Sequence, residues 1–350
     1  MLNISPHSKK EVIMKTVMLA LLFVLFFSLS YGTVFTVNLL LPDNPALFQY
    51  HTLAAAYAAA SNGDVIRVYP GDYTFSQPSE LVSGAKTLVI EGTTLSSTWF
   101  VANSQTIISL TGGTLTVKNI VFQSNDGDGI KIVSGNPTLK VYNCIFDSCN
   151  VGIYAYATST VDIQGCVFRS CERGVYFYRS LSLHSVYGAI SNCIFHDNTI
   201  GMYVNDSEMS SYVDVFNSVF VSNTEYSIRR NYSPFYGVVS YNIFYLNGND
   251  NNLGGISYGT GNLVDVSPTL MNISGNPYYN YFPAAGSPCV DNGNPDSDYT
   301  DADQTQNDIG IFGGPHPWGA GMPVILYMQA TPGTVQQGGT FNLDVTGRIK

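Results

Sequence analysis

One short pattern recurs six times between Leu115 and Asn247, and it limits the chain to a small class of folds. Each copy reads apolar-x-apolar, two bend residues, then small-x-Phe, with an Asn or Cys three positions after the Phe. The copies lie 22 to 27 residues apart, a spacing that is typical of solenoid repeats. They are centred on Phe122, Phe146, Phe168, Phe195, Phe220 and Phe244.

Each copy supplies three short apolar pairs whose members are two positions apart, which is the period of one face of a β-strand. Bend residues such as Asn119, Asn143 and Gly165 separate the pairs and tolerate the positive φ of tight corners. Three strands and three corners per coil predict a parallel β-helix. A leucine-rich repeat would show a Leu-dominated consensus, and a helical repeat would show apolar spacings of three and four; neither occurs. The pairs of the second copy are Leu139/Val141, Cys144/Phe146 and Ile153/Ala155.

Stacked coils place like side chains on like side chains, which predicts two further columns. An Asn column at a corner would bond neighbouring backbone groups; it comprises Asn125, Cys149, Cys171, Asn198, Asn223 and Asn247. A second column contains Cys144, Cys166 and Cys193 in one inward position. We therefore interpret the cysteines as small buried thiols, with a Cys149–Cys171 disulfide as the alternative to test.

The N-terminal segment has the features of a secretion signal, assigned to residues 1–32. Lys9, Lys10 and Lys15 precede the apolar run Val17–Leu29, which is shorter than the ~20 residues of a membrane span. Met14 is a candidate for the true start, and an uncleaved membrane anchor is the open alternative. Export predicts an extracellular or cell-surface location.

Two strings flanking the repeats resemble those of a known family. HTLAAAYAAASNGDVIRVYPGDYTF is similar to the capping helix and first coil of the pectate-lyase-like superfamily of right-handed parallel β-helix proteins. GSPCVDNGNPDSDYTDADQTQNDIGIFGG is similar to the closing segment of bacterial secreted members. The resemblance covers roughly residues 48–320. It implies an all-β solenoid at 33–252, with a capping helix from Thr52 to Ala60 and an irregular C-terminal cap at 253–321.

The remaining tail, 322–350, reads as two strands joined by Gly-containing turns. It resembles the opening of an immunoglobulin-like module, which needs ~100 residues in all. The tail is therefore either a truncated module or a hairpin that pairs with something else.

The outward positions of the third strand carry the candidate binding surface. Rigid aromatic rings with a hydroxyl tip suit sugar rings, and Arg or Lys can meet a carboxylate or sulfate. Exposed tyrosine ladders also stabilise solenoids by themselves, so a purely structural role is the competing interpretation. The candidate carbohydrate-binding residues are Tyr154, Tyr156, Tyr176, Tyr178, Tyr203, Arg173, Arg179 and Lys131.

The composition limits the classes of molecule that the chain is expected to bind. The formal charge is −10 with only 11% charged residues, and no basic stripe exists for nucleic acid. We expect a monomer that binds polysaccharide and has no membrane span after signal cleavage. No Ser-His-Asp set, hydrolase-type Asp pair or lyase-type Arg motif is found, so no catalytic residue is assigned.

Five acidic residues crowd the closing segment and could hold Ca²⁺, although they do not match the EF-hand spacing. Asx-turns that shape a polar loop are the alternative. No other cofactor is expected. These residues are Asp296, Asp298, Asp301, Asp303 and Asp308.

The sequence thus predicts a secreted or cell-surface β-helix protein that binds polysaccharide or serves as an adhesive or structural module. The alternative is an enzyme working in a groove on the third sheet, a polysaccharide lyase more readily than a glycoside hydrolase. Convergence of Asp126, Asp128, Lys131 or Arg173 in one cleft would favour the enzyme.

Overall fold

The computed structural model describes the solenoid and most of the segment after it. The predicted signal peptide lies almost entirely outside the described residues. Among the residues described, no helix is long and apolar enough to cross a membrane. The described ranges are 32–76, 81–94, 97–179, 185–206, 211–232, 237–249, 258–271, 281–301, 303–318, 323–331 and 342–349.

Three parallel sheets wind around one core in about seven turns, which confirms the predicted right-handed parallel β-helix. Each coil contributes one strand to sheet A, one to sheet B and one to sheet C. The predicted register is also confirmed, because Phe122 pairs with Phe146 and Phe146 with Phe168 in successive coils of sheet B. Strand pairing continues past residue 252 to a last short strand at 263–264.

The strands are numbered in chain order. Sheet A contains β1 Val34–Val37, β2 Gln49–Tyr50, β3 Val65–Val68, β6 Thr87–Gly92, β9 Thr114–Lys118, β12 Thr138–Tyr142, β15 Ser159–Gln164, β18 Val186–Ser191, β21 Tyr212–Phe216 and β24 Val239–Ser240. Sheet B contains β4 Gly71–Phe75, β7 Thr98–Ala102, β10 Val121–Ser124, β13 Ile145–Asp147, β16 Val167–Arg169, β19 Ile194–His196, β22 Val219–Val221, β25 Ile243–Tyr245 and β26 Leu263–Val264. Sheet C contains β5 Leu81–Ser83, β8 Ile108–Leu110, β11 Asp128–Ile132, β14 Val151–Ala155, β17 Arg173–Arg179, β20 Ile200–Asp206 and β23 Tyr226–Tyr232.

The predicted N-terminal helix is present as α1, Leu53–Ala59, and packs against β1, β2, β3 and β5. Thr52 caps it, because its side chain accepts a hydrogen bond from the Ala55 amide at 3.2 Å. Leu53 and Ala56 enter the core. Short 3₁₀ turns lie at Pro45–Leu47 and Ser297–Tyr299.

The Phe column forms the centre of the core. Its rings stack nearly parallel, at 4.9 Å between Phe146 and Phe168 and 4.5 Å between Phe195 and Phe220. A glycine at the second position of strands β11, β14, β17 and β20 admits them: a Cβ on Gly174 would lie 2.8 Å from the Phe195 ring and 2.5 Å from a backbone oxygen. Sheet C strands therefore approach the ring column at a distance that other residues would not allow.

The corners follow the predicted chemistry. Between sheets A and B the corner residue has a positive φ in each of the six repeats, including Asn143 at 53° and Gly165 at 61°. Asn198 and Asn223 form the predicted corner column, since the Asn198 amide group donates to the Asn223 side-chain oxygen at 2.9 Å. Each amide also satisfies a backbone carbonyl of the coil below, as Asn198 does at Phe168.

All six cysteines are buried free thiols, so the Cys149–Cys171 disulfide is absent. The thiols of Cys149 and Cys171 instead contact carbonyl oxygens in the core, including that of Phe122 for Cys149. Burial raises the pKa of the Cys144 thiol well above its ordinary value, which keeps this thiol protonated and unreactive.

Much of the predicted C-terminal cap lies along the side of the solenoid and not over its end. We call the described residues 281–301 and 303–318 the side segment. It packs on the outer face of sheet B, whereas Tyr258 and Val264 reach the end of the core. The reason is that the sheet B strands are apolar on both faces, so the outer face must be covered as well. The covered outer residues are Val121, Ile145, Val167, Ile194, Val219 and Ile243.

Buried asparagines fix the side segment to the corner between sheets A and B. The Asn192 amide group donates to the Asn307 side chain at 2.9 Å and to the Asp308 carbonyl at 2.8 Å. Asn217 accepts from the Asn294 amide at 2.7 Å. These corner side chains thus serve as a docking track.

The tail forms the two strands expected from its sequence. They are β27 Pro323–Thr331 and β28 Asn342–Ile349, which pair antiparallel with an irregularity between Ile325 and Tyr327. Whether they belong to an immunoglobulin-like module stays a prediction.

Candidate functional site

The outer face of sheet C brings most of the predicted binding residues together. Lys131, Tyr154, Tyr176, Tyr203 and Arg229 occupy equivalent positions on five successive strands, β11 to β23. They form a column of three aromatic rings with a cation at each end. With Tyr156, Tyr178 and Arg173, we call this surface the tyrosine face.

The rings of the column are stacked on one another. Tyr154 and Tyr176 lie 5.0 Å apart at 11°, and Tyr176 and Tyr203 lie 4.9 Å apart at 5°. The Lys131 amine lies 4.7 Å from the centre of the Tyr154 ring, and the Arg229 guanidinium lies 5.3 Å from the centre of the Tyr203 ring. Each cation therefore covers the ring face at one end of the column. The ring faces that the sequence analysis assigned to sugars are therefore occupied, and the column presents ring edges and hydroxyls.

Tyr203 differs from the exposed residue expected from its outward position, because it is only 8% exposed. Arg173 and Arg229 both lie against its ring, and Asn231 donates a hydrogen bond to its hydroxyl. Tyr156 is the most exposed of the five tyrosines at 36%. It stacks on Tyr178 at 5.6 Å in the adjacent column.

Two asparagines that the sequence analysis did not assign orient the hydroxyls. Asn205 donates its side-chain amide to the Tyr176 hydroxyl at 3.3 Å, as Asn231 does to Tyr203. A phenol whose oxygen already accepts a hydrogen bond still has its own hydrogen to donate. Burial raises the pKa of Tyr176 and of Tyr154, which keeps both hydroxyls protonated at neutral pH. The column thus presents hydrogen-bond donors.

Each cation of the tyrosine face has an acidic neighbour. Arg173 pairs with Glu172 at 2.7 Å and Arg229 with Glu225 at 3.6 Å. Both glutamates are about half exposed, and ion pairs of this kind contribute little stability in water. A ligand carboxylate can therefore replace them at small cost.

Lys131 has a different partner, the buried carboxylate of Asp128, at 3.7 Å. Asp128 is 6% exposed and accepts a hydrogen bond from Asn150 at 3.3 Å. Burial raises the pKa of Asp128, although Lys131 and Arg173 partly offset this. A carboxyl group with a raised pKa beside an amine is an arrangement also found in catalytic sites.

Asp126 and Arg179 are the two remaining predicted residues near sheet C. Asp126 bonds the Ser104 hydroxyl at 3.2 Å and does not join Asp128 and Lys131. Arg179 ends strand β17, but its side chain lies outside the described residues. Asp128 and Lys131 therefore lie in contact with Arg173 nearby, whereas Asp126 bonds elsewhere. A catalytic role for these residues stays a prediction.

The acidic residues of the side segment mainly shape the loop. Asp301 accepts from the amides of Asp308 at 3.1 Å and Gly314 at 2.9 Å. Asp296 and Asp303 accept from amides two residues ahead, as in Asx-turns. Nowhere in the described ranges do three His, Cys, Asp or Glu side chains form a group that could hold a metal ion. Calcium binding by the five predicted residues stays a prediction.

Comparison with known proteins agrees with this fold. Residues 74–187 match the family model described as a right handed beta helix region. A mutant of the PL6 family alginate lyase AlyGC is 15% identical with a TM-score of 0.43, and the match covers 67% of this chain and 40% of the lyase. Pectate lyase Pel9A is 13% identical with a TM-score of 0.44, covering 80% of this chain and 96% of that one. No curated protein matches the chain. The family-model match and the three parallel sheets confirm the resemblance to right-handed parallel β-helix proteins for the fold, whereas bacterial origin and secretion stay predictions.

Proposed function

We propose that the tyrosine face binds a polysaccharide and that the protein acts as a secreted or cell-surface binding module. The observation that carries this proposal is the aligned column of three stacked tyrosines between two cations, from Lys131 to Arg229. Successive coils of such a sheet lie ~4.8 Å apart. An extended chain molecule can therefore meet the same donors at regular intervals.

The chemistry of the donors favours an acceptor-rich polymer. The Tyr176 hydroxyl and the Arg173 guanidinium both donate, and guanidinium forms paired bonds with carboxylate or sulfate. The exposed carboxylate of Glu172 would leave Arg173 when such a group binds. Hydroxyls of neutral sugars can accept from the tyrosines but give no such exchange. We therefore expect acidic polysaccharides to bind more tightly than neutral ones.

An array of neutral and acidic polysaccharides, including alginate and pectate, tests this proposal. Tyr176→Phe removes one donor while keeping the stacked ring, and should weaken binding by about threefold to tenfold. Arg173→Gln should weaken binding to acidic polymers more strongly than to neutral ones.

Tyr187→Phe is the matched control, since Tyr187 lies on the outer face of sheet A and is 48% exposed. It should leave binding unchanged. Absence of binding by the parent protein, or an equal loss in Tyr176→Phe and Tyr187→Phe, would contradict the proposal.

Uronate lyase activity is the second candidate, and it rests on the contact of Asp128 with Lys131. A lyase removes the proton α to a uronate carboxyl, which needs a base and stabilisation of the resulting negative charge. The absorbance of the unsaturated product, followed with and without Ca²⁺, would detect it. Product formation that Lys131→Gln abolishes without abolishing binding would establish catalysis.

A further inference from the structure

Two histidine–tyrosine contacts, one near each end of the side segment, join it to the solenoid in addition to the apolar cluster and the asparagine bonds. At the first, Tyr281 of the side segment places its hydroxyl 3.2 Å from Nδ1 of His196 in sheet B. At the second, His316 of the side segment stacks on Tyr142 of sheet A at 4.2 Å and 24°. Of the three histidines in the described residues, only His51 lies outside these contacts.

The surroundings of His196 favour its neutral form. Tyr281 is 1% exposed, and Arg169 lies on the neighbouring strand, paired with Asp147 at 2.6 Å. Burial lowers the pKa of His196; Asp197 acts in the opposite direction, and Arg169 lowers the pKa further. A proton on His196 would therefore add a positive charge beside Arg169 in a half-buried position.

The second contact repeats this arrangement with different residues. Tyr142 donates a hydrogen bond to Asp162 at 2.5 Å, and the Lys118 amine lies 5.6 Å from the Tyr142 ring. Burial lowers the pKa of His316, Lys118 lowers it further, and Asp162 acts in the opposite direction. Here too a basic side chain opposes protonation, because Lys118 faces the same ring stack.

We propose that the side segment is an acid-sensitive latch, in which protonation of His196 and His316 loosens both contacts and uncovers the apolar outer face of sheet B. The residues of the side segment that bond Asn192 and Asn217 lie between Tyr281 and His316 in sequence. Asparagine side chains do not take up a proton between about pH 5 and about pH 7.5. Opening by acid therefore depends on the two histidines and not on the asparagine track.

The difference in histidine pKa between the closed and open states determines how pH changes the opening of the side segment. In the closed state both histidine pKa values lie below the ordinary value of about 6.5 that an exposed imidazole has once the segment leaves. Opening therefore takes up protons, and it becomes more favourable as the pH falls below about 6.5. Above that pH both states hold neutral histidines, so the latch is fully stable there.

Tryptophan fluorescence and hydrogen exchange can both follow the opening. Trp318 is 3% exposed and donates its indole N–H to the Gly165 carbonyl at 2.6 Å. Trp99, the other tryptophan of the chain, packs against the same apolar cluster. Between about pH 7.5 and about pH 5 we expect a red shift of the emission. Amide exchange in 303–318, corrected for intrinsic rates, should rise roughly threefold or more.

The double variant His196→Gln with His316→Phe removes both titrating groups while keeping a polar partner for Tyr281 and an aromatic ring on Tyr142. It should lose the acid response, whereas the control His51→Gln should retain it. If this double variant were already open at neutral pH, the single variants His196→Gln and His316→Phe would decide the question, because each should lose part of the acid response. The absence of an acid response in the parent, its persistence in a closed double variant, or simultaneous exchange of core peptide 139–146 would overturn the proposal.

Discussion

Sheets B and C belong to the same coils, but their outer faces differ in the side chains that they carry. In sheet B the outward residue before the Phe of each of the six repeats is Val or Ile, such as Val167, and it packs in the apolar cluster under the side segment. In sheet C the outward column carries Tyr154, Tyr176 and Tyr203 with cations at its ends. One outward position per strand therefore distinguishes the face that the chain itself buries from the face on which we propose that a polysaccharide binds.

Aromatic rings stack both inside and outside the solenoid, for different reasons. Inside, Phe rings stack because the core excludes water and the glycines of sheet C admit them. Outside, tyrosine rings stack equally closely, and Tyr154 and Tyr176 stay partly exposed whereas Tyr203 is buried. The inner column supplies stability, whereas the outer column supplies a row of donors on a rigid support.

The largest effect should come from placing a charge on the covered face. Val167→Asp would bury a carboxylate without a cation under the side segment, lowering the free energy of unfolding by about 3 kcal/mol or more. Tyr178→Asp, on the uncovered face of the same coil, should cost less than about 1 kcal/mol. Urea denaturation measures both, and equal losses would break the distinction between the faces.

A smaller effect should follow from removing one hydrogen-bond donor from an aromatic residue on each face. Trp318→Phe leaves the buried Gly165 carbonyl without its indole partner, at a cost of about 1–3 kcal/mol. Tyr176→Phe removes a hydroxyl from a partly exposed side chain, and should change the free energy of unfolding by less than about 0.5 kcal/mol. Thermal denaturation of both variants compares them directly. A larger cost for Tyr176→Phe would mean that its hydroxyl supports the fold and not a ligand.

The smallest effect concerns Asp128, the buried acid at the edge of the tyrosine face. Because its pKa is raised in the folded state, its charge costs stability above the folded pKa and costs nothing below the unfolded pKa. Asp128→Asn should therefore gain stability relative to the parent as the pH rises from about 4 to about 7. Urea titrations at the two pH values give this difference. A relative loss at the higher pH would mean that the ion pair with Lys131 outweighs burial.

Local chemistry explains what the sequence could predict. Apolar pairs two residues apart predicted the strands, and Asn and Gly predicted the corners. The spacing of the Phe residues predicted the register in which Phe122 pairs with Phe146. The cysteine positions followed from the same columns. Each of these inferences depends on neighbours within one coil or between adjacent coils.

Contacts across long stretches of chain were beyond that reasoning. The bond from Asn192 to Asn307 joins residues 115 positions apart, and no repeat indicates it. A usable signal was nevertheless present, because Val or Ile precedes the Phe of each of the six repeats and makes sheet B apolar on both faces. The outward assignment of Tyr203 was correct in direction, but stacking and cations cover its ring, which a strand pattern does not reveal.

Chemical labelling of tyrosines tests most directly whether the uncovered face of sheet C binds polysaccharide. Tyr156 on that face is 36% exposed, and Tyr187 and Tyr212 on sheet A are 48% and 46% exposed, so all three should be nitrated in the free protein. With a saturating acidic polysaccharide, Tyr156 should react several-fold more slowly while Tyr187 and Tyr212 react as before. Protection of Tyr187 and Tyr212 instead, or equal nitration of all three with and without polysaccharide, would contradict the assignment of the binding face.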